Sequence, residues 1–314
     1  MDCEIKRIII DTDPGIDDAH ALLIFLLAER KLKKIKIEAI TVSAGNTSLE
    51  NACKNVTRIL ESENRKDIPV YKGVEQSLLH QDVIDSDYFG SDGLGDVFHD
   101  IPDMSVIKRE LSPIAICDII NKNPGEITLV CLGPLTNIAL ATTFDGQLFS
   151  KVKECFIMGG NFQGVGNVTT SAEFNFYFDP EAAYIVLKKI TCPTTILPLE
   201  TCYDAVIEMD WRRDVLAKCP KMIMLNEVEK NYHPTMHGRP NTWVPFDGFL
   251  AVAILYPNIV VQKTKYQATV ELHGSLTRGQ VVLNDWEENK ANVFIIKAID
   301  KVFYMNTVLD MFQN

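Results

Sequence analysis

Arg7-Ile8-Ile9-Ile10-Asp11-Thr12-Asp13-Pro14-Gly15-Ile16-Asp17-Asp18 is the stretch from which the rest of the chain can be read. Its β-branched start predicts a buried strand over 7–11, and apolar residues at 22, 23, 26 and 27 predict a helix over 19–30. Asp11, Asp13, Asp17 and Asp18 crowd the junction. Two carboxylates about 4 Å apart repel by roughly 4 kcal/mol at an effective dielectric near 20. Such a cluster needs a cation, a shared proton or several N–H donors. Pro14 fixes φ and Gly15 permits a tight bend, which folds Asp13 back toward Asp17 and Asp18. The helix dipole alone would account for Asp17 and Asp18. It leaves Asp11 and Asp13 at a strand's carboxyl end, where open α/β sheets bind ligands. Oxygen-only donors suit Ca²⁺ or Mg²⁺ better than zinc, and the spacing is not that of an EF-hand, so distant residues must complete any site.

The same alternation continues outward. Strands are predicted over 37–43, 70–71, 127–132, 154–158 and 194–197, and helices over 49–62, 113–121, 135–143 and 179–189. This rhythm predicts an α/β fold with an open, mostly parallel central sheet and helices on both faces. Beyond it, 209–231 reads as largely helical, 266–273 and 280–283 as a hairpin around Gly274, and 293–311 as a closing helix. No linker is visible, so the expectation is a single domain over 1–314. Long loops over 73–102 and 231–244 have the length of lids.

Composition narrows the partners. The 314 residues carry 31 Lys and Arg against 42 Asp and Glu, a net charge of −11. That balance argues against an extended nucleic-acid or anionic-membrane surface. Apolar runs fall far short of the roughly 20 residues that span a bilayer. The eight cysteines form no CxxC pair, so reduced, buried thiols are expected. Met1-Asp2-Cys3-Glu4 lacks the pattern of a secretory signal, and a cytoplasmic location is expected.

The string from Asp11 to Leu23, DTDPGIDDAHALL, resembles the N-terminal signature of the nucleoside hydrolases, the inosine–uridine-preferring N-ribohydrolase family. Val42–Asn46, Leu132–Asn137, Met158-Gly159-Gly160-Asn161, Gly166-Asn167, Ala172–Asn175, Asp179–Ala183 and Phe246-Asp247-Gly248 are similar to later motifs of that family. The likeness runs from about residue 7 to residue 255. It implies Ca²⁺-dependent hydrolysis of the N-glycosidic bond of ribonucleosides, by a homodimer or homotetramer. It also implies Ca²⁺ ligands at Asp13, Asp18, Asp247 and the Leu132 carbonyl, with Asp13 as general base. Asp17 would meet the ribose 2′-hydroxyl near Asn175, and Asn46 would lie close to the water and the base. Asn167 and Glu173 would hold the 5′-hydroxyl, with Met158 lining the pocket. Taken without the resemblance, Asn167 suits a turn and Glu173-Phe174-Asn175 a half-exposed strand.

The chain departs from the family pattern at the leaving group. Phe246 and Phe89 stand where members commonly carry histidines, and neither can donate a proton. Purine-preferring members place aromatics there, so Phe89, Phe246, Trp243 and Tyr232 are candidates to stack on a purine, or else simply to pack the core. His233 and His237 are alternative acids. Two competing readings are a haloacid dehalogenase-type phosphatase, which leaves Pro14–Asp18 unexplained, and a non-catalytic ribose-binding relative, suggested by the two missing histidines.

Overall fold

The computed structural model describes residues 5–79, 87–230, 241–286 and 288–313. Its strands are β1 Lys6–Thr12, β2 Ile35–Val42, β3 Val70–Lys72, β4 Ile107–Lys108, β5 Ile127–Cys131, β6 Glu154–Met158, β7 Thr194–Leu197, β8 Ile207–Glu208, β9 Thr242–Trp243, β10 Val260–Val270, β11 Val281–Asn284 and β12 Val293–Ile299. Among the described residues, ten of them form one sheet in the order β11-β10-β12-β7-β6-β5-β1-β2-β3-β4. Pairing is parallel from β4 through to β12, and β10 and β11 close that edge antiparallel. This is the mostly parallel architecture expected, with the hairpin in place.

The helices are α1 Ile16–Leu27, α2 Leu49–Ser62, α3 Ser112–Lys122, α4 Thr136–Phe144, α5 Leu148–Lys151, α6 Phe174–Phe178, α7 Pro180–Lys189, α8 Leu199–Asp204, α9 Met209–Asp214, α10 Ile223–Val228, α11 Phe246–Leu255 and α12 Lys301–Gln313. Side-chain alternation along β1 divides the core in two. Ile8 and Ile10 pack with residues of α1, α2, α11 and α12, whereas Ile9 packs with those of α3, α4 and α7 on the other face. Caps mark helix starts locally: Ser48 accepts the Asn51 N–H at 3.3 Å, and Asp179, ahead of Pro180, accepts that of Ala182 at 3.0 Å. Among the described residues no helix is long and apolar enough to cross a membrane.

Two readings of the sequence need correction. Residues 293–311 are not one helix: Val293–Ile299 is strand β12, inserted beside β7, and Asp300 then caps α12 by accepting the N–H groups of Val302 and Phe303. The stretch 209–231 is largely helical, as expected, though in separate short pieces: α9, two single turns either side of Cys219, and α10. Glu173-Phe174-Asn175 is a helix start, with the Glu173 carboxylate as cap of α6. Tyr232, His233 and His237 lie outside the described residues, as do 80–86 and most of the second long loop.

Candidate active site

The carboxyl ends of the central parallel strands supply the floor of one cavity of about 280 Å³. Asp17, Asn46, Leu132, Met158, Asn167, Glu173, Asn175, Phe89, Phe246 and Asp247, all named as candidates above, line it together. Asp13 and Asp18 lie fully buried immediately beneath. Asp17, Asp18 and Asp247 each present a carboxylate oxygen within 4.8 Å of the others, across the N-termini of α1 and α11.

Each acid is held by a local reason. Asp18 accepts from the Thr12 hydroxyl, from Gly15 N–H at 3.1 Å and from the Asn46 amide at 3.1 Å, which closes the turn around Pro14. Asp13 Oδ2 accepts the Asn46 N–H at 2.8 Å, and its Oδ1 has no protein partner. The Asp13 carboxylate sits between two glycines. A Cβ on Gly45 would collide with Oδ2, and one on Gly133 with Oδ1. Gly133→Ala is therefore expected to displace this carboxylate and to lower kcat about a hundredfold, on the scale of a 1 Å misplacement. Steady-state kinetics beside a thermal melt check this; an unchanged kcat would show that Asp13 need not lie where it does.

Asn175 donates to the Leu132 carbonyl at 2.7 Å and to the Met158 carbonyl at 3.3 Å, tying β5 and β6 ends to α6. Glu173 accepts from Gly160 N–H at 2.7 Å, Asn175 N–H at 2.9 Å and Phe176 N–H at 3.2 Å. Asp11 is different. It faces away from the cavity, toward the Thr41 hydroxyl at 2.6 Å and the Asn137 amide at 2.9 Å, so it belongs behind the floor and not in it. Thr41 lies in no quoted motif, and Asn137 closes the Leu132–Asn137 motif without a role having been assigned to it.

Burial pushes every one of these acids upward. Asp11 and Glu173 reach about 7, although hydrogen-bond donors on both pull the other way. Asp13, Asp17 and Asp247 are carried well above the usual range, first by burial and then by the negative charge of Asp18. Asp247 Oδ1, like Asp13 Oδ1, is buried without a hydrogen-bond partner. Orphaned carboxylate oxygens in an oxygen-only set fit a hard divalent cation, whose charge would offset their repulsion.

The walls are aromatic. Phe89 lies against Gly15, where a Cβ would come within 2.6 Å of its ring. Tyr88 and Phe89 meet edge to face at 4.8 Å, and so do Tyr203 and Phe246 at 6.0 Å. Asn55 fixes the loop after Phe89 by donating to the carbonyls of Pro14 at 2.9 Å and Asp92 at 2.7 Å. Tyr88 and Tyr203 line the cavity without having been expected there; no motif flags a lone tyrosine. Trp243 was expected at the substrate and is not in this wall. The β8–β9 pairing turns it inward, edge-on to His20 at 5.3 Å and near Trp211 at 6.3 Å.

A family profile described as "Inosine-uridine preferring nucleoside hydrolase" matches residues 8–306. The chain is 31% identical over 312 residues to the pyrimidine-specific ribonucleoside hydrolase RihA of Shewanella sp. (strain MR-7), covering 97% of this chain and 95% of that one. It is 30% identical over 323 residues to the probable uridine nucleosidase 2 of Arabidopsis thaliana, covering 97% of both. A solved structure described as an inosine-guanosine nucleoside hydrolase superposes with a TM-score of 0.88 at 26% identity, over 98% of each chain. A plant nucleoside hydrolase, PpNRh1, gives 0.89 at 28%, over 98% of this chain and 99% of that one.

Proposed function

The chain belongs to the inosine-uridine preferring nucleoside hydrolase family, and from that premise we propose that it is a Ca²⁺-dependent ribonucleosidase favouring purine bases. One observation carries the metal: Asp13 Oδ1 and Asp247 Oδ1 are buried without partners beside the Asp17–Asp18–Asp247 trio. Asp13, Asp18, Asp247 and the Leu132 carbonyl are the proposed ligands. Bound there, a cation would lower the pKa of a water and supply positive charge facing the ribose hydroxyls.

The chain's own groups supply the rest. Asp13, fixed by Asn46 through one oxygen, keeps the other to take the proton of the attacking water. The remaining acids set a negative field in which positive charge on the ribose ring is favoured as the glycosidic bond breaks. Asp17 and Asn175 meet the 2′-hydroxyl side, Asn46 stands near the water and base, and Asn167 and Glu173 take the 5′-hydroxyl, with Met158 as apolar floor. Phe89 and Phe246 stack on the base. Assembly as a homodimer or homotetramer belongs to the same proposal.

The test is a reducing-sugar assay on purine and pyrimidine nucleosides, with and without a Ca²⁺ chelator. Ribose release that is lost on chelation, with kcat/KM higher for inosine than uridine, is the expected outcome. The relatives named for uridine and pyrimidine favour the opposite base order, and a ratio below one would establish it. Ribose release from no nucleoside would favour a binding protein instead.

A further inference from the structure

The proposed site puts ribose on an acidic floor and leaves the base among aromatic walls. Phe89, Phe174 and Phe246 offer that base only carbon. Among the described residues, the aromatic side chains lining the cavity with a hydrogen to donate are Tyr88 and Tyr203. They differ in support. Tyr88 is 44% exposed on a single turn, Asp87–Phe89. Tyr203 is half-buried on α8, directly after β7, with its ring edge-on to Phe246 at 6.0 Å.

α8 is bolted down on both sides of that residue. The Glu200 carboxylate accepts the N–H groups of Phe162, Gln163 and Val165, fixing the loop that leads to Asn167. The Thr201 hydroxyl donates to the Ile296 carbonyl of β12 at 2.6 Å, and Cys202 is fully buried. A phenol on such a mount is held in place before substrate arrives, which is what a donor to a developing charge requires.

Resting on the hydrolase reading above, we infer that Tyr203 donates a hydrogen bond to the departing base and stabilises the negative charge it takes up as the C1′–N bond breaks. Water oxygen bonds to C1′, its proton passes to Asp13, and the C1′–N electron pair leaves with the base. The base then collects a proton from solvent, so Tyr203 keeps its own throughout. Burial, with Tyr88 and Glu173 nearby, holds this phenol above its ordinary value, so the O–H persists at working pH. The role supplies what Phe89 and Phe246 lack.

The experiment compares Tyr203→Phe with wild type on inosine, uridine and 4-nitrophenyl riboside, whose leaving group needs no such help. Removing one donor to developing charge is worth about a hundredfold in kcat. That loss is expected on both nucleosides with KM little changed, while the nitrophenyl substrate is cleaved at the wild-type rate. Equal loss on all three substrates would reduce Tyr203 to packing. No loss on the nucleosides would place the donor elsewhere. Wild-type protein that releases ribose from neither nucleoside overturns the hydrolase reading itself, a result visible before the variant is compared.

Discussion

Replacing Asp13 by alanine is expected to cut ribose release about a thousandfold, the scale of a lost general base, while the protein stays folded. The residue sits at the end of the central strand with one oxygen bonded to Asn46 and the other unpartnered. Gly45 and Gly133 leave it no room to swing away. Its neighbour Asp18, by contrast, already accepts from Thr12, Gly15 and Asn46. Asp13→Asn separates chemistry from folding. It keeps an acceptor for the Asn46 N–H but removes a charge that burial and Asp18 both disfavour. Metal-free Asp13→Asn should melt no lower than wild type and should be equally inactive. Reducing-sugar assays and thermal melts read the two effects, and a wild-type rate in either variant would remove Asp13 from the mechanism.

The second large effect is on stability. In metal-free protein Asp11 and Glu173 titrate near 7, above the value of about 4 they have in an unfolded chain. Below about pH 4 each is protonated in both states. Between there and pH 7 the folded state keeps a proton that the unfolded state releases. Stability therefore falls as pH rises, with a limiting slope of about 1.4 kcal/mol per unit for each group. Asp13, Asp17 and Asp247 extend the same trend upward. Chelated protein should melt higher at pH 5 than at pH 8. Ca²⁺ at a thousand times its Kd would add about 4 kcal/mol. The gain should be larger at pH 8, because the ligands must shed protons to bind. Melting curves at the two pH values, with chelator and with Ca²⁺, test it. A metal-free protein that is more stable at pH 8 would contradict the buried-acid picture.

Much of the fold was legible because strand and helix periods alternate cleanly through Leu197. Leu49–Ser62, Glu154–Met158 and Thr194–Leu197 fall where their patterns put them. The failures have physical causes. Val293–Ile299 is apolar except for Lys297 and shows no clean alternation, so periodicity cannot assign it to strand or helix; Asp300 was the available punctuation. All ten residues of α11 are buried, so it has no amphipathic face to detect. The site was legible through its charges. Carboxylates crowded at a strand end need an explanation, and Asp17, Asp18 and Asp247 meet in space although Asp247 is distant in sequence. Residues that act by shape were harder to read: Gly45 and Gly133 fell inside quoted motifs with no role attached, and Asn55 across the loop and Tyr203 in the wall fell in none.

The place of β12 in the sheet also bears on how the protein is made. β7 ends at Leu197 and its neighbour β12 begins at Val293, so 96 positions separate two strands that lie side by side. At roughly 5–20 residues per second on the ribosome, about 5–20 s pass before that partner emerges. During this interval Thr194–Leu197, mostly buried in the finished protein, is an uncovered parallel edge able to pair with any other extended chain. The nascent protein is most exposed to aggregation then, after its acidic turn has been made and before the strand that seals its sheet.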